Sequence, residues 1–356
     1  MLVQRLANIL AFERRCIRSS FVAQVRRTLP VRLHLRALLA RRIDALDASG
    51  YLRDATLPRR FSPLILAACF LLACSPRSYV VSRMADAASS GGDVFARDDD
   101  PELVRDAVPF ALKAMESLLA SSPEHKGLLT ALSKGFTQYA VAFVRQDAEE
   151  APDPETRRAG MERARRLLLR ARGYGVRGLS AGREGFAAQL SGDPAGAAAR
   201  VGAEDVPLLY WTAASWSLAA ASSSDDPALL ADLPRCEALM RRALALDERY
   251  DDGAVHEYFV AFEGGRPEAM GGSVDRARHH MDQAMALSGG RRVAPLVTFA
   301  ETVSVRTQDR KEFLDLLDRA LAFDARSAAP EHRMANLVSQ RRARWLKGRV
   351  DELFLD

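Results

Sequence analysis

The sequence is poor in aromatic residues and in cysteine. Phe, Trp and Tyr make up 7% of the 356 residues, against 48% hydrophobic and 27% charged residues. Ala, Leu and Arg dominate, and because such residues lose little side-chain freedom in a helix, the composition favours a globular all-α fold over a sheet-rich one. Cys16, Cys69, Cys74 and Cys236 are too few for a disulfide framework in a chain of this length.

The sequence also lacks a complete catalytic or metal-binding motif. His256-Glu257 begins like the zinc-protease pattern H-E-x-x-H, but Val260 stands where the second histidine belongs. His279 and His280 are adjacent, and adjacent helical side chains point about 100° apart, so we expect no shared metal. We therefore predict no catalytic residue, metal or cofactor. A hydrolase that uses His256 and Glu257 is kept as an alternative.

Positive charge is concentrated at one end of the chain. The whole chain carries a net charge of +5, but residues 1–73 contain 13 Arg and 4 acidic residues, which leaves −4 for residues 74–356. A nucleic-acid-binding protein keeps positive charge in its folded body to neutralise phosphates. We therefore expect no nucleic-acid partner.

A lipoprotein leader accounts for much of this charge. Residues 59–73 combine Arg59-Arg60 with an apolar stretch that is shorter than the roughly 20 residues of a membrane-spanning helix. The stretch ends in Leu71-Leu-Ala-Cys74, which resembles a lipobox, so we predict a signal peptide over 59–73 and lipidation of Cys74. Alternatives are an uncleaved signal anchor and a weaker lipobox ending at Cys69. The protein is then periplasmic and lipid-anchored, and Ser75 after the cysteine slightly favours the outer membrane.

Residues 1–58 form a basic extension that is too long for the n-region of a signal peptide. We interpret it as an overextended gene start, with a basic amphipathic helix at the cytoplasmic membrane face as the alternative. Residues 74–100 are predicted to be a lipidated tether. The folded domain is predicted over 101–356.

One helical pattern recurs within 101–356: a small or apolar residue, an apolar residue four later and another small or apolar residue three later. Residues at i, i+4 and i+7 share a helix face, and small ones let neighbouring helices approach closely. The third members of the last copies lie at 243, 284 and 320, near the tetratricopeptide period of about 34 residues. The copies are Ala111, Met115 and Leu118; Ala164, Leu168 and Ala171; Cys236, Met240 and Ala243; Ala277, Met281 and Ala284; and Phe313, Leu317 and Ala320.

These copies predict an irregular tetratricopeptide-like array of helical hairpins, compact and closed by a C-terminal helix over 330–354. A Gly173-Tyr-Gly175 break ends the second copy, and the stretches 145–160 and 180–205 are insertions. An unrelated helical bundle is the alternative fold. Tyr210, Trp211 and Trp216 either pack in the core or line a ligand pocket, since both environments recruit aromatic side chains.

The chain resembles the T component of tripartite ATP-independent periplasmic (TRAP) transporters, a family of tetratricopeptide lipoproteins. The resemblance spans about 100–354 and rests on segments 108–119, 135–140, 206–216, 256–257, 270–273 and 336–345. It implies a periplasmic protein that binds the transporter's substrate-binding protein and forms trimers with a ligand-accessible pore. The positions that match the family's motifs, and are therefore candidate cavity or interface residues, are Tyr210, Trp211, Trp216, His256, Glu257, Met270, Gly271, Gly272, Asn336, Gln340, Arg341 and Trp345.

The leading hypothesis is thus a lipid-anchored accessory protein of a TRAP-type system. It binds the substrate-binding protein and a small apolar or amphipathic organic ligand. The alternative is a tetratricopeptide lipoprotein that acts as an adaptor in envelope protein assembly.

Overall fold

The computed structural model describes Asp86, residues 92–222 and residues 226–355. Within these described parts there is no β-strand, which confirms the predicted all-α class. They belong to one compact unit that spans Ser75–Asp356. The predicted leader, Cys74 and most of the tether lie outside the described residues. None of the helices described is both long enough and apolar enough to cross a bilayer.

The helices of residues 92–222 are α1 (Gly92–Arg97), α2 (Pro101–Ser121), α3 (Lys126–Tyr139), α4 (Gln146–Glu150), α5 (Pro154–Ser180), α6 (Phe186–Gly192), α7 (Pro194–Ala199) and α8 (Val206–Ala221). A π-helical segment, Ala140–Arg145, joins α3 to α4, and a 3-10 turn, Ala203–Asp205, precedes α8.

The helices of residues 226–355 are α9 (Pro227–Leu230), α10 (Leu233–Leu246), α11 (Ala254–Gly264), α12 (Val274–Leu287), α13 (Ala294–Phe299), α14 (Arg310–Ala322), α15 (Arg333–Lys347) and α16 (Val350–Leu353). A π-helical segment, Ala300–Ser304, extends α13. Short 3-10 turns occupy Tyr250–Asp252, Glu268–Met270 and Pro330–His332.

Several helices begin at an Asp-Pro pair. The Asp side chain accepts hydrogen bonds from backbone N–H groups of the first turn, and Pro takes the first helical position, where no N–H is needed. Local sequence therefore sets where α2, α5, α7 and α9 start. The pairs are Asp100-Pro101, Asp153-Pro154, Asp193-Pro194 and Asp226-Pro227.

Helices that are close in sequence pack as pairs: α3 with α5 and α8 with α10, each across one short helix, and the consecutive helices α11 with α12 and α13 with α14. In each pair the second helix buries the small or apolar face that the sequence pattern predicts, while the first helix supplies larger side chains. Whether these pairs are tetratricopeptide units stays a prediction. The buried face consists of Ala164, Leu168, Ala171, Cys236, Met240, Ala243, Ala277, Met281, Ala284, Phe313, Leu317 and Ala320.

The first predicted copy has the wrong register. In α2 the buried residues are Val104, Leu112 and Leu119, while Ala111, Met115 and Leu118 are half-buried. A shift of one residue turns the apolar face by about 100°, and here the leucines contact α3. Packing of the larger apolar side chains therefore decides the face of this helix.

The predicted break at Gly173-Tyr-Gly175 is also wrong, because α5 continues to Ser180. Gly175 lies where α5 meets α8, and a Cβ at this position would lie 2.2 Å from Thr212 Oγ1. This glycine therefore allows two helices to approach closely and does not end one.

The stretches 145–160 and 180–205, predicted as insertions, carry helices of their own. The first contains α4 and the start of α5, and the second contains α6 and α7. Phe186 and Leu190 of α6 are buried, and α7 packs on α10. The array is therefore irregular at these points because extra short helices are packed into it.

The C-terminal segment closes the array, as predicted, but the predicted helix over 330–354 is divided into a 3-10 turn, α15 and α16. Helix α15 contacts both α1 and α2. Arg333 Nη1 donates a hydrogen bond to the Arg97 carbonyl oxygen over 2.8 Å, and Arg326 Nη1 donates to the Asp99 carbonyl oxygen over 3.3 Å. The last helices of the chain are thus tied to the first, which brings distant parts of the sequence together.

Candidate functional site

A cavity of about 450 Å³ lies where the ends of the array meet. The first turn of α2, the π-helical segment after α3, the loop after α14 and one face of α15 form its walls. Two of the predicted site residues, Gln340 and Arg341, line it. Its apolar walls include Phe143, Phe323, Leu337 and Val338.

The charged groups around this cavity are mainly positive. Arg326, Arg341 and Arg344 line it together with Glu102 and Asp324. Arg341 is paired with carboxylates, and Arg326 lies 3.7 Å from Asp99. The Arg344 guanidinium has no hydrogen-bond or ion-pair acceptor among the described residues. The cavity thus combines an apolar wall with a guanidinium that is free to bind an anionic group.

An ion-pair network, which we call the seam, joins α15 to α4 and to the π-helical segment Ala300–Ser304. Arg341 Nη2 lies 2.9 Å from Asp147 Oδ1 and 2.6 Å from Glu150 Oε2. Arg342 bridges Glu149 and Glu301, each at 2.5 Å. Because these side chains are only partly exposed, their attraction is screened less than that of fully solvated pairs.

Glu149 shows how the seam is balanced. Burial raises the pKa of its carboxyl, but the positive charges of Arg145 and Arg342 outweigh burial, so the net pKa lies below its usual value. Opposite charges within contact distance favour the ionised form in this way. At neutral pH the Glu149 carboxylate is therefore ionised and holds α15 in place.

A second cavity of about 170 Å³ lies beside the first, and Phe143 lines both. Asp147, Tyr139 and Arg105 line this second cavity. Because Arg341 belongs to the first cavity and its partner Asp147 to the second, this ion pair stands at the boundary between them.

Tyr210 and Trp211 are buried beside a charged cluster. The Tyr210 ring lies 4.9 Å from Trp211 and 5.3 Å from Tyr250, centroid to centroid. Arg292, whose side chain is 10% exposed, donates hydrogen bonds to Glu257 Oε2 over 2.8 and 3.2 Å. The structure thus brings together the predicted residues Tyr210, Trp211 and Glu257.

No motif in the sequence predicts that Arg292 belongs to this cluster. Burial alone would lower the pKa of Arg292, but the carboxylates of Glu257 and Asp251 raise it further than burial lowers it. Burial raises the pKa of the Tyr210 hydroxyl, helped by the negative charge of Glu257. Arg292 therefore stays charged, and its hydrogen bonds hold it against Glu257 beside the Tyr210 ring.

Trp216 and Trp345 lie elsewhere, each with a guanidinium over its ring. Arg172 Cζ is 4.9 Å from the Trp216 ring centroid, and the Trp216 Nε1–H donates to Asp232 Oδ2 over 3.0 Å. Arg342 Cζ is 4.3 Å from the Trp345 ring centroid. These contacts fix both indoles in the packing between helices.

His256 and Glu257 point to different partners. His256 Nδ1 lies 2.8 Å from His280 Nδ1, and its Nε2 lies 3.1 Å from Glu248 Oε1. Glu257 instead binds Arg292. Because the two side chains do not converge on one space, the geometry gives no support to a hydrolase that uses them together.

Met270, Gly271 and Gly272 form a turn between α11 and α12. Arg276 Nη2 donates to the Gly271 carbonyl oxygen over 2.6 Å and to buried Glu263 Oε2 over 2.8 Å. A Cβ on Gly272 would lie 2.0 Å from the Arg266 carbonyl oxygen, so only glycine fits there. Met270 is 56% exposed on the surface of this turn and lines neither cavity.

Asn336 and Gln340 bind backbone groups of neighbouring helices. Asn336 Oδ1 accepts a hydrogen bond from the Val293 N–H over 3.1 Å. Gln340 Nε2 donates to the Ala320 and Phe323 carbonyl oxygens over 2.9 and 2.7 Å, at the end of α14. Buried amides that satisfy buried backbone groups hold an element in one position. These residues therefore position α15, whose outer face lines the cavity.

The predicted residues thus fall into separate groups, and whether each binds a ligand or a partner stays a prediction. Sequence reasoning missed Phe143 and Phe323, which form the aromatic part of the cavity. Phe143 lies in a π-helical segment, where the helical period is interrupted and a pattern of i, i+4 and i+7 fails.

The fold and cavity define an α-helical array whose first and last helices enclose a small amphipathic space. The model of one protein family, the TRAP transporter T-component, matches residues 97–354. The chain belongs to this family, which is a family of transporter components and not of enzymes. It is also 32% identical over 310 residues to an uncharacterized protein of Treponema pallidum (strain Nichols). The aligned residues cover 83% of this chain and 96% of that relative.

Proposed function

We propose that this chain is a periplasmic, lipid-anchored accessory protein of a TRAP transport system that holds a small amphipathic ligand and binds the substrate-binding protein. Membership of the family, matched over residues 97–354, supports the role in TRAP transport. The 450 Å³ cavity beside α15 is the single structural observation that supports ligand binding. Lipidation of Cys74 supplies the anchor, and assembly into trimers follows the family resemblance.

The lining of the cavity suggests the chemistry of the ligand. Phe143, Phe323 and Leu337 offer apolar contact, and the free guanidinium of Arg344 offers a charged hydrogen-bond donor. A ligand with an apolar body and an acidic end satisfies both. Its volume must be small, because 450 Å³ lies near the lower end of ordinary ligand pockets.

The outer face of α2 is the surface we assign to the substrate-binding protein. Leu103 is 59% exposed and Phe110 is 80% exposed, and residues seven apart lie on the same face of a helix. Glu102, next to Leu103, lines the cavity. A partner bound on this face would therefore lie beside the cavity, where a ligand can pass between the two proteins.

The partner is tested by co-purification from native membranes with the TRAP substrate-binding protein as the expected prey. Phe110→Glu should abolish its recovery, whereas Leu355→Glu, which charges an apolar residue that is 87% exposed at the other end of the domain sequence, should leave it unchanged. Recovery of envelope assembly proteins without any TRAP component would instead support the adaptor hypothesis.

The ligand is tested by native mass spectrometry of the same purified protein. Arg344→Gln should remove a co-purifying organic acid, and Arg158→Gln, which deletes an exposed unpaired arginine of α5, should not. Equal ligand content in wild type and Arg344→Gln would contradict the proposed cavity.

A further inference from the structure

Two histidines that the proposed ligand cavity does not use meet between α11 and α12. His256, 3% exposed, lies near the start of α11, and His280 lies in the middle of α12. Their Nδ1 atoms are 2.8 Å apart. Glu248, in the turn after α10, places Oε1 3.1 Å from the other nitrogen of His256. Residues from separate segments thus converge on one point.

The hydrogen bonds assign the protons of this cluster. An ionised carboxylate only accepts, so His256 Nε2 carries a proton and donates it to Glu248. His256 Nδ1 is then a lone pair, and the short Nδ1–Nδ1 contact requires His280 Nδ1–H to donate to it. This arrangement holds one neutral imidazole of fixed tautomer with its lone pair directed at a second imidazole.

Such a carboxylate–histidine arrangement is the usual support of a metal ligand. Metal-binding histidines commonly donate their second ring N–H to a carboxylate, which fixes the ring and raises its basicity. Two imidazole nitrogens on a tetrahedral Zn²⁺ lie about 3.3 Å apart, given Zn–N distances of about 2.0–2.1 Å. If the two rings moved slightly further apart, the ion would therefore fit between the two Nδ1 atoms in place of the shared proton.

The hydrogen bonds place His256 in its neutral form, which is the form of imidazole that binds metals. Two arginines, Arg241 and Arg276, lie near His280. They are paired with Glu237 and Glu263, which offsets their repulsion of a cation.

We propose that His256 and His280 bind one first-row transition-metal cation such as Zn²⁺ through their Nδ1 atoms, with Glu248 orienting His256 and water completing the coordination. On binding, the Nδ1 proton of His280 moves to its Nε2 through solvent, so no net proton is released. The Phe259 ring stacks on the His280 imidazole with their centroids 4.9 Å apart, and this contact limits rotation of the imidazole. The site would tie α10, α11 and α12 together.

A second group of potential ligands provides the main competitor. Asp252, Glu331 and His332 offer atoms within 4.8 Å of one another. Arg291 already donates to the carboxylates of Asp252 and Glu331, and His332 Nε2 lies 2.8 Å from Asp252. A resident guanidinium repels a dication, so we assign the metal to the His256 and His280 pair.

The experiment titrates Zn²⁺ alone into the full chain. The protein is purified with an affinity tag that contains no histidine, and a chelator removes bound metal before the titration. Isothermal titration should show one Zn²⁺ per chain, and Zn²⁺ should raise the melting temperature, because a ligand that binds only the folded state stabilises it. His256→Gln and His280→Gln should each abolish binding. Glu248→Gln should weaken it about 10- to 100-fold.

His279→Gln is the matched control, because it removes the adjacent, exposed histidine and should bind Zn²⁺ like the wild type. Circular dichroism of every variant confirms that the helices are retained. The proposal is overturned by an absence of Zn²⁺ binding, by binding that survives in folded His280→Gln, or by binding that is lost only in His332→Gln.

Discussion

The central helices and the seam are held together by different forces. Around α5, α8 and α10, Leu168, Leu209 and Leu239 are completely buried, and close helix approaches are set by glycine and alanine. At the seam, Arg341 and Asp147 pair with side chains that are 36% and 31% exposed. Apolar burial involves no titrating charge and is not screened by ions, whereas ion pairs weaken when a partner is neutralised or salt is added. The centre is therefore a fixed body, and the seam beside the cavity is the part that conditions can loosen.

The largest effect is expected from emptying the central core. Leu209→Ala should lower the free energy of unfolding by about 2–5 kcal/mol, because it removes buried methyl groups and leaves a cavity. Urea unfolding followed by circular dichroism measures this change. Phe110→Ala, which truncates a side chain that is 80% exposed, should change it by about 0.5 kcal/mol or less. Similar losses for both would remove the distinction between core and surface.

A smaller loss is expected where α5 meets α8. Gly175→Ala places a methyl group 2.2 Å from Thr212 Oγ1 and should cost about 1–3 kcal/mol through overpacking. Gly173→Ala lies in the same helix with nothing within 4 Å of its Cβ. It should stabilise the protein by up to about 1 kcal/mol through helix propensity. Thermal unfolding of both variants compares them, and a stabilised Gly175→Ala would contradict the close approach.

A third prediction concerns the seam itself. Arg341→Gln should lower the free energy of unfolding by only about 0.2–1 kcal/mol, because its ion pairs are partly solvated. It should nevertheless speed hydrogen exchange in α4, which loses the two ion pairs of Arg341 and keeps only the pair of Glu149 with Arg342 as a tie to α15. Arg310→Gln, which removes an exposed pair with Asp351, should leave α4 unchanged. Equal exchange rates in the two variants would show that the seam does not hold α4.

The smallest effect is expected from acid. The folded-state pKa of Glu149 lies below its ordinary value of 4.5, so its stabilising contribution is fully present above about pH 4.5. That contribution is lost as the pH falls through the lower folded-state pKa. The protection factor of α4, which compares its hydrogen exchange with the intrinsic rate at the same pH, should therefore fall below about pH 4.5 before the centre unfolds. In Arg342→Gln this fall should shrink, since one source of the lowered pKa is gone.

Several features of the fold were predictable because they depend on neighbouring residues. Asp100-Pro101 begins α2, and Ser273 caps α12 by accepting from the Arg276 N–H, as its position before the helix suggests. Cys236 is buried, as expected for a small residue on a packed face. The register of α2 was not predictable, since Ala111 and Leu112 are both acceptable core residues and only the contact with α3 selects between them.

The candidate site was harder to predict. Gln340 and Arg341 were identified through the resemblance, yet the sequence does not reveal that Gln340 binds the end of α14 or that Arg341 binds Asp147. His256 and Glu257 are neighbours in sequence, but the turn of the helix directs one to His280 and the other to Arg292.

The sequence by itself determined the helical class, many helix starts and most of the buried faces, because periodicity and capping act within a few residues. Only the tertiary structure decided which charges meet, since Arg341 and Asp147 are 194 positions apart. Their contact exists because the array curves back until α15 reaches the first helices. That curvature is the sum of many helix-packing angles, and no local pattern encodes it.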